Sequence, residues 1–238
     1  MSGVVEIYQR TKKLPDLAWN RFVCRPLAAV VVKLCEPTPI TPNQITLAAF
    51  GVACVAAALL VLWPGYTGLV VAILVYELSY VLDCADGMLA RLRGIASKQG
   101  HLLDFLMDEI KAFLILAAVS VRLFQETQAP WVLLLGVGGL VMLATGIAIT
   151  TFQRRPEIAG EPPPSPGAAA APSLLKRLLG VPMSVAKLLV HYPSYIWLAA
   201  ALGHIEYYFY PYLVVNTLYA AKSIAWLGFR FGRFSRGN

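Results

Sequence analysis

Four carboxylates stand close together between Asp83 and Asp108, in a chain that is otherwise poor in charge. Asp83 and Asp86 lie three residues apart, and Asp104 and Asp108 lie four apart. On helices, each pair shares a face. Ionised acids packed in low dielectric repel, and burying them is costly unless they are paired. The local cations are Arg91, Arg93, Lys98 and Lys111, and the first three fall at or beyond a helix end. Divalent cations solve the problem, because all-oxygen ligand sets suit hard ions such as Mg²⁺, Mn²⁺ or Ca²⁺. Acids shared between two helices suit a pair of ions, the arrangement that clamps a phosphate during in-line displacement. Gly87, Ala90 and Gly100 lie on the same faces, and small residues leave room where a ligand or another backbone comes close.

The elements that carry these acids belong in a membrane. The chain is 58% hydrophobic and 14% charged, with a mean hydropathy of +0.64. Apolar runs recur at the length of roughly 20 residues needed to span about 30 Å of hydrocarbon. The formal net charge of +7 fits basic cytoplasmic loops better than a nucleic-acid partner, and none is expected. Cys24, Cys35, Cys54 and Cys84 lack metal spacing and read as thiols rather than disulfides. No cleavable signal peptide is evident.

The expected fold is an all-α integral membrane protein. Six transmembrane helices follow an N-terminal amphipathic interfacial helix. Residues 1–40 form a cytoplasmic N-terminus. Within it, 17–34 mixes Trp19, Phe22, Leu27 and Val30 with Arg21, Arg25 and Lys33, the pattern of a helix lying in the interface. Residues 41–238 form the transmembrane domain, with spans near 42–63, 67–91, 99–124, 130–152, 181–202 and 207–229. Thr41 and Pro42 mark a helix start, and Gly136, Gly138, Gly139 and Gly146 predict close helix contacts in the fourth span. Tyr207, Tyr208, Phe209, Tyr210 and Tyr212 suggest an aromatic belt. The Pro- and Ala-rich stretch 153–173 reads as a mobile connector. Basic residues cluster at the termini, in loop 92–98 and after the fourth span, whereas the opposite loops hold only Arg122. This asymmetry puts both termini and the acids on the cytoplasmic side of a multi-pass protein, in a bacterial inner membrane or its equivalent.

The run D-x2-D-G-x2-A-R-x8-G-x3-D-x3-D is filled at every fixed position, by Asp83, Asp86, Gly87, Ala90, Arg91, Gly100, Asp104 and Asp108. It resembles the signature of the CDP-alcohol phosphotransferase family. The resemblance implies that an alcohol hydroxyl attacks the β-phosphorus of a CDP-alcohol and that CMP leaves. It makes Asp83, Asp86 and Asp104 metal ligands, and Asp108 the general base and a ligand of a second ion. Two divalent ions, Mg²⁺ or Mn²⁺, are expected. Gly87, Ala90, Arg91 and Gly100 would bind the CDP moiety. The T-P-N-Q-I-T run from Thr41 to Thr46 is a second, weaker resemblance. By it Asn43 and Thr46 approach the nucleotide, while the alternative is that they only cap a helix end. Lys111 either contacts donor or acceptor phosphate or offsets the acids.

The partners implied are a CDP-alcohol donor, an alcohol acceptor, membrane lipids and a second copy in a homodimer. CDP-diacylglycerol is the default donor, in phospholipid biosynthesis, with glycerol phosphate, inositol phosphate or serine as acceptor. A polar donor such as CDP-inositol, CDP-choline or CDP-ethanolamine is the alternative. A reading of another class is a cation-binding carrier or silent scaffold, since intramembrane acids also mark ion paths. Glu77, Lys222 and His191 receive no role.

Overall fold

The computed structural model describes residues 3–13, 16–155, 158 and 191–234. The connector at 153–173 falls largely outside them, as do residues 181–190 of the expected fifth span, 181–202. The described residues are helical and contain no strand. The helices are α1 (Val4–Thr11), α2 (Arg25–Cys35), α3 (Pro42–Leu62), α4 (Gly65–Leu92), α5 (Lys98–Thr127), α6 (Pro130–Gln153), α7 (Ile196–Ala201) and α8 (Glu206–Phe234).

Among these, α3, α4 and α6 are long and apolar enough to cross a membrane. Their termini follow local chemistry. Thr41 and Gln44 form a reciprocal capping box at the start of α3. Pro64 and Gly65 end it and begin α4, with Gly65 at a φ of 81° that favours glycine. The hairpin between α3 and α4 is held by Arg122 of α5. Its buried guanidinium donates to the carbonyls of Leu60, Trp63 and Gly65 and pairs with Glu126.

The main core lies between α3, α4, α5, α7 and α8, with Leu60, Ile73, Ile115, Val119, Ile196 and Tyr208 among its fully buried members. The aromatic cluster at 207–212 therefore differs from a belt. Tyr208, Phe209 and Tyr212 are buried, whereas Tyr207 and Tyr210 are exposed. Helical periodicity divides the run between core and surface.

A second apolar cluster joins the N-terminal helices to the half of α4 that carries the acids. Ile7, Cys24, Ala28, Ala29 and Val32 pack there against Val81, Ala85, Met88 and Leu89. Phe22, Leu27, Val30 and Leu34 stay exposed on the other side of α2 and its lead-in. Immediately before α2, residues Asn20–Cys24 form a π-helical turn, with the Arg25 N–H bonded to the Asn20 carbonyl. Pro26 has no N–H to give Phe22, which explains a loosened turn at this point.

The glycines of α6 divide by face. A Cβ at Gly136 would lie 2.5 Å from the Ser120 Cβ, and one at Gly139 would lie 2.0 Å from a Leu213 methyl. Gly146 sits close to Tyr219. Gly138 faces open space, contrary to the sequence expectation. Gly136→Ala is expected to destabilise the protein by about 1–3 kcal/mol through overpacking, with Gly138→Ala near neutral. Thermal unfolding in detergent distinguishes the two.

Candidate active site

The last turns of α4 and the first turns of α5 bring the acids together. The link between them is short. Ser97 caps α5 by accepting from the Gly100 N–H at 3.1 Å, and Gly94 takes a φ of 67°. Arg93 braces the link from below. Its guanidinium donates to the carbonyls of Ile40, Cys35 and Thr38, at 2.6, 2.9 and 2.8 Å.

Asp83, Asp104 and Asp108 each offer a carboxylate oxygen, and these oxygens all lie within 4.8 Å of one another. Asp86 is not part of this trio. It is buried and accepts a hydrogen bond from the Thr46 hydroxyl of α3. Lys111 Nζ, itself buried, pairs with Asp83 and lies 2.7 Å from Asp108 Oδ1. The lysine therefore offsets two of the acids directly. Asp104 Oδ1 is buried and has no hydrogen-bond partner among the described residues. An all-oxygen set with one orphaned oxygen fits a hard divalent cation, since a buried carboxylate oxygen without a partner is costly.

Two cavities meet at the acids. One, of about 440 Å³, is lined by Asn43, Thr46, Gly87, Ala90, Gly100 and Asp104. The expected CDP-binding residues thus share one wall system, with Arg91 also on it. Gly100 approaches Asn43 so closely that a Cβ there would lie 3.4 Å from the Asn43 Oδ1. The other cavity, of about 500 Å³, is lined by Asp83 and Asp108 together with Asp16, Asn20, Tyr80 and His191. Asp86, Gly87, Arg91 and Asp104 border both. Arg91 Nε donates to the Thr11 carbonyl at 3.0 Å, which ties α1 to the site.

The second cavity contains residues that the sequence did not single out as site residues. Asp16 pairs with Arg25 and accepts from Asn20 Nδ2 at 3.1 Å. Burial opposes ionisation of Asp16, but the hydrogen bonds from Arg25 and Asn20 more than offset it, so its carboxyl is held below the usual value. The one available signal was an isolated acid in a basic N-terminal stretch. Glu77 accepts from the Trp19 indole at 3.2 Å, and Lys222 is exposed.

Helices of membrane-spanning length and an acid-lined double cavity define a membrane protein with a polar site at one end of its bundle. The family model for CDP-alcohol phosphatidyltransferase matches residues 39–209, and the chain belongs to that family. It is 31% identical over 140 residues to the phosphatidylinositol phosphate synthase of Corynebacterium glutamicum, covering 59% of this chain and 60% of that protein. It is 30% identical over 125 residues to the bifunctional IPC transferase and DIPP synthase of Archaeoglobus fulgidus, covering 52% of this chain and 23% of that protein. The matches thus span less than two thirds of either relative's length.

Proposed function

We propose that this protein transfers a phosphatidyl group from CDP-diacylglycerol to the hydroxyl of a small polar acceptor, releasing CMP. The convergence of Asp83, Asp104 and Asp108 where two cavities meet carries this reading. The name of the Corynebacterium relative makes inositol phosphate the first acceptor to test, before glycerol phosphate and serine.

The nucleotide lies against Asn43, Thr46, Gly87, Ala90 and Gly100, where small residues let its backbone and phosphates approach the helices. Asp108 takes the proton from the attacking hydroxyl. The new oxygen–phosphorus bond forms as the bond to CMP breaks. Mg²⁺ or Mn²⁺ held by Asp83, Asp86, Asp104 and Asp108, as two ions, would neutralise the pyrophosphate and the departing CMP. Thr46 fixes one rotamer of Asp86, and Lys111 holds Asp83 and Asp108 in place. Lys111 is satisfied by these acids, which favours charge offset over phosphate contact.

In this reading α5 and α8, of 30 and 29 residues, are further spans, and the expected fifth span, 181–202, lies partly outside the described residues. The exposed stripe of Phe22, Leu27, Val30 and Leu34 faces the lipid interface. Residues 1–40 and 41–238 form the cytoplasmic N-terminus and the catalytic domain, with the site on the cytoplasmic side. The working unit is a homodimer.

Purified protein in detergent should release CMP from CDP-diacylglycerol only with an acceptor and with Mg²⁺ or Mn²⁺, and EDTA should stop it. CMP from CDP-inositol, CDP-choline or CDP-ethanolamine instead would reassign the donor. Bound metal with no CMP from any donor would leave the carrier or scaffold reading.

A further inference from the structure

We propose that the cavity walled by Asn20, Tyr80 and His191 is the acceptor site, and that their hydrogen-bond chain reads hydroxyl groups of a polyol acceptor. This rests on the transfer reading above.

Position carries the first part. In-line displacement needs the attacking oxygen and the leaving group on opposite sides of the phosphorus. Asp108 and Asp83 line this cavity but not the one that holds Asn43, Thr46, Ala90 and Gly100. The hydroxyl that gives its proton to Asp108 must therefore arrive from the Asn20 side. A volume of about 500 Å³ lies in the usual small-molecule range of roughly 300–1,000 Å³.

The wall chemistry carries the second part. Tyr80 has one hydroxyl hydrogen and donates it to Asn20 Oδ1 at 2.8 Å. His191 Nε2, 2.8 Å from the same hydroxyl, must then be its donor, which leaves His191 Nδ1 to accept from Ser194 Oγ at 2.6 Å. Asn20 Nδ2 points its bond at Asp16, whose charge is taken by Arg25. The chain is uncharged at Asn20 and Tyr80 yet retains capacity. Among the described residues, Asn20 keeps a second amide hydrogen and a second lone pair on Oδ1. A group that both donates and accepts, as an alcohol hydroxyl does, matches that pattern.

The wall is also built to stay in place. The loosened turn at Asn20–Cys24 aims Asn20 inward, and such turns recur at functional sites. Trp19 stacks on Trp197 with centroids 4.8 Å apart and donates to Glu77, pinning the segment to α4 and α7. Asp16, Asn20 and Arg25 all precede the family match at residues 39–209. The acceptor wall therefore joins residues of this chain's N-terminal segment to Tyr80 and His191 of the matched region.

The test is steady-state kinetics with CDP-diacylglycerol and inositol phosphate, or whichever of the three acceptors the wild type consumes. Tyr80→Phe and Asn20→Ala should each raise KM for the acceptor about ten-fold, the worth of one or two hydrogen bonds. KM for CDP-diacylglycerol, and Mn²⁺-dependent CDP binding by calorimetry, should stay within two-fold. Intact CDP binding shows that the variants are folded. An unchanged acceptor KM, or a donor KM that rises in parallel, would overturn the assignment. Absence of CMP from the wild type with every donor would instead sink the transfer reading itself.

Discussion

Asp108→Asn is expected to lower CMP release by about two to four orders of magnitude, the usual contribution of a positioned general base. Asparagine keeps the size of the side chain and removes its ability to take a proton. The fold should survive, because the Asp108 side chain is half exposed and Lys111 retains Asp83 as its partner. Binding of CDP should also survive, since Asp108 does not line the cavity of Asn43 and Thr46. The loss should therefore fall on kcat with little change in KM for the donor. Recovery of activity by raising Mn²⁺ would assign Asp108 to holding an ion rather than to proton removal. Retention of near-full activity at ordinary Mn²⁺ would refute both roles.

The second large effect is on stability. Lys111 is buried at 2% side-chain exposure, and Asp83 beside it at 11%. Removing one partner of a buried ion pair leaves the other charge uncompensated, at a cost of about 3–5 kcal/mol. Lys111→Met keeps the length and apolar stem of the side chain, so the loss comes from charge rather than packing. Metal-free Lys111→Met should unfold at a clearly lower temperature than metal-free wild type. Mn²⁺ should then raise its unfolding temperature by more than it raises that of the wild type, because a divalent cation bound only by the folded state replaces the missing charge. Equal unfolding temperatures in EDTA would show that Lys111 is not the counter-ion of these acids.

Both effects depend on the same feature: acids from two helices facing each other at one end of a bundle. The protein tolerates them through specific contacts. Thr46 takes Asp86, Lys111 takes Asp83 and Asp108, and Asp104 is left with an orphaned oxygen. That division also separates Asp86 from the trio that converges within 4.8 Å. The separation follows from helix geometry. Three residues turn about 300° around α4, which leaves Asp83 and Asp86 about 60° apart: they share a face and one cavity, and only Asp86 also reaches the other.

Helix ends and the locus of chemistry were legible in the sequence by itself. Thr41-Pro42, Pro64-Gly65 and Ala129-Pro130 are local stop and start signals, and α3, α4 and α6 begin or end at them. Length and apolarity identify three membrane-crossing helices without reference to any neighbour. The eight-residue signature concentrated attention on the α4–α5 junction because its spacing is local to two helices. Tertiary structure alone decided what faces those helices. The α1–α2 segment folds back on α4 and supplies Asp16, Asn20 and Arg25 to the second cavity, although they lie about sixty residues from the acids in sequence. Nothing in local periodicity reports such a contact, since it depends on which apolar stripe of the N-terminal segment finds α4. The same limit explains Gly138, whose face points outward, and Tyr208, Phe209 and Tyr212, which look like an interfacial belt in the sequence but pack inward. Residue type states what a side chain is able to do; only the packing of one helix on another decides what it meets.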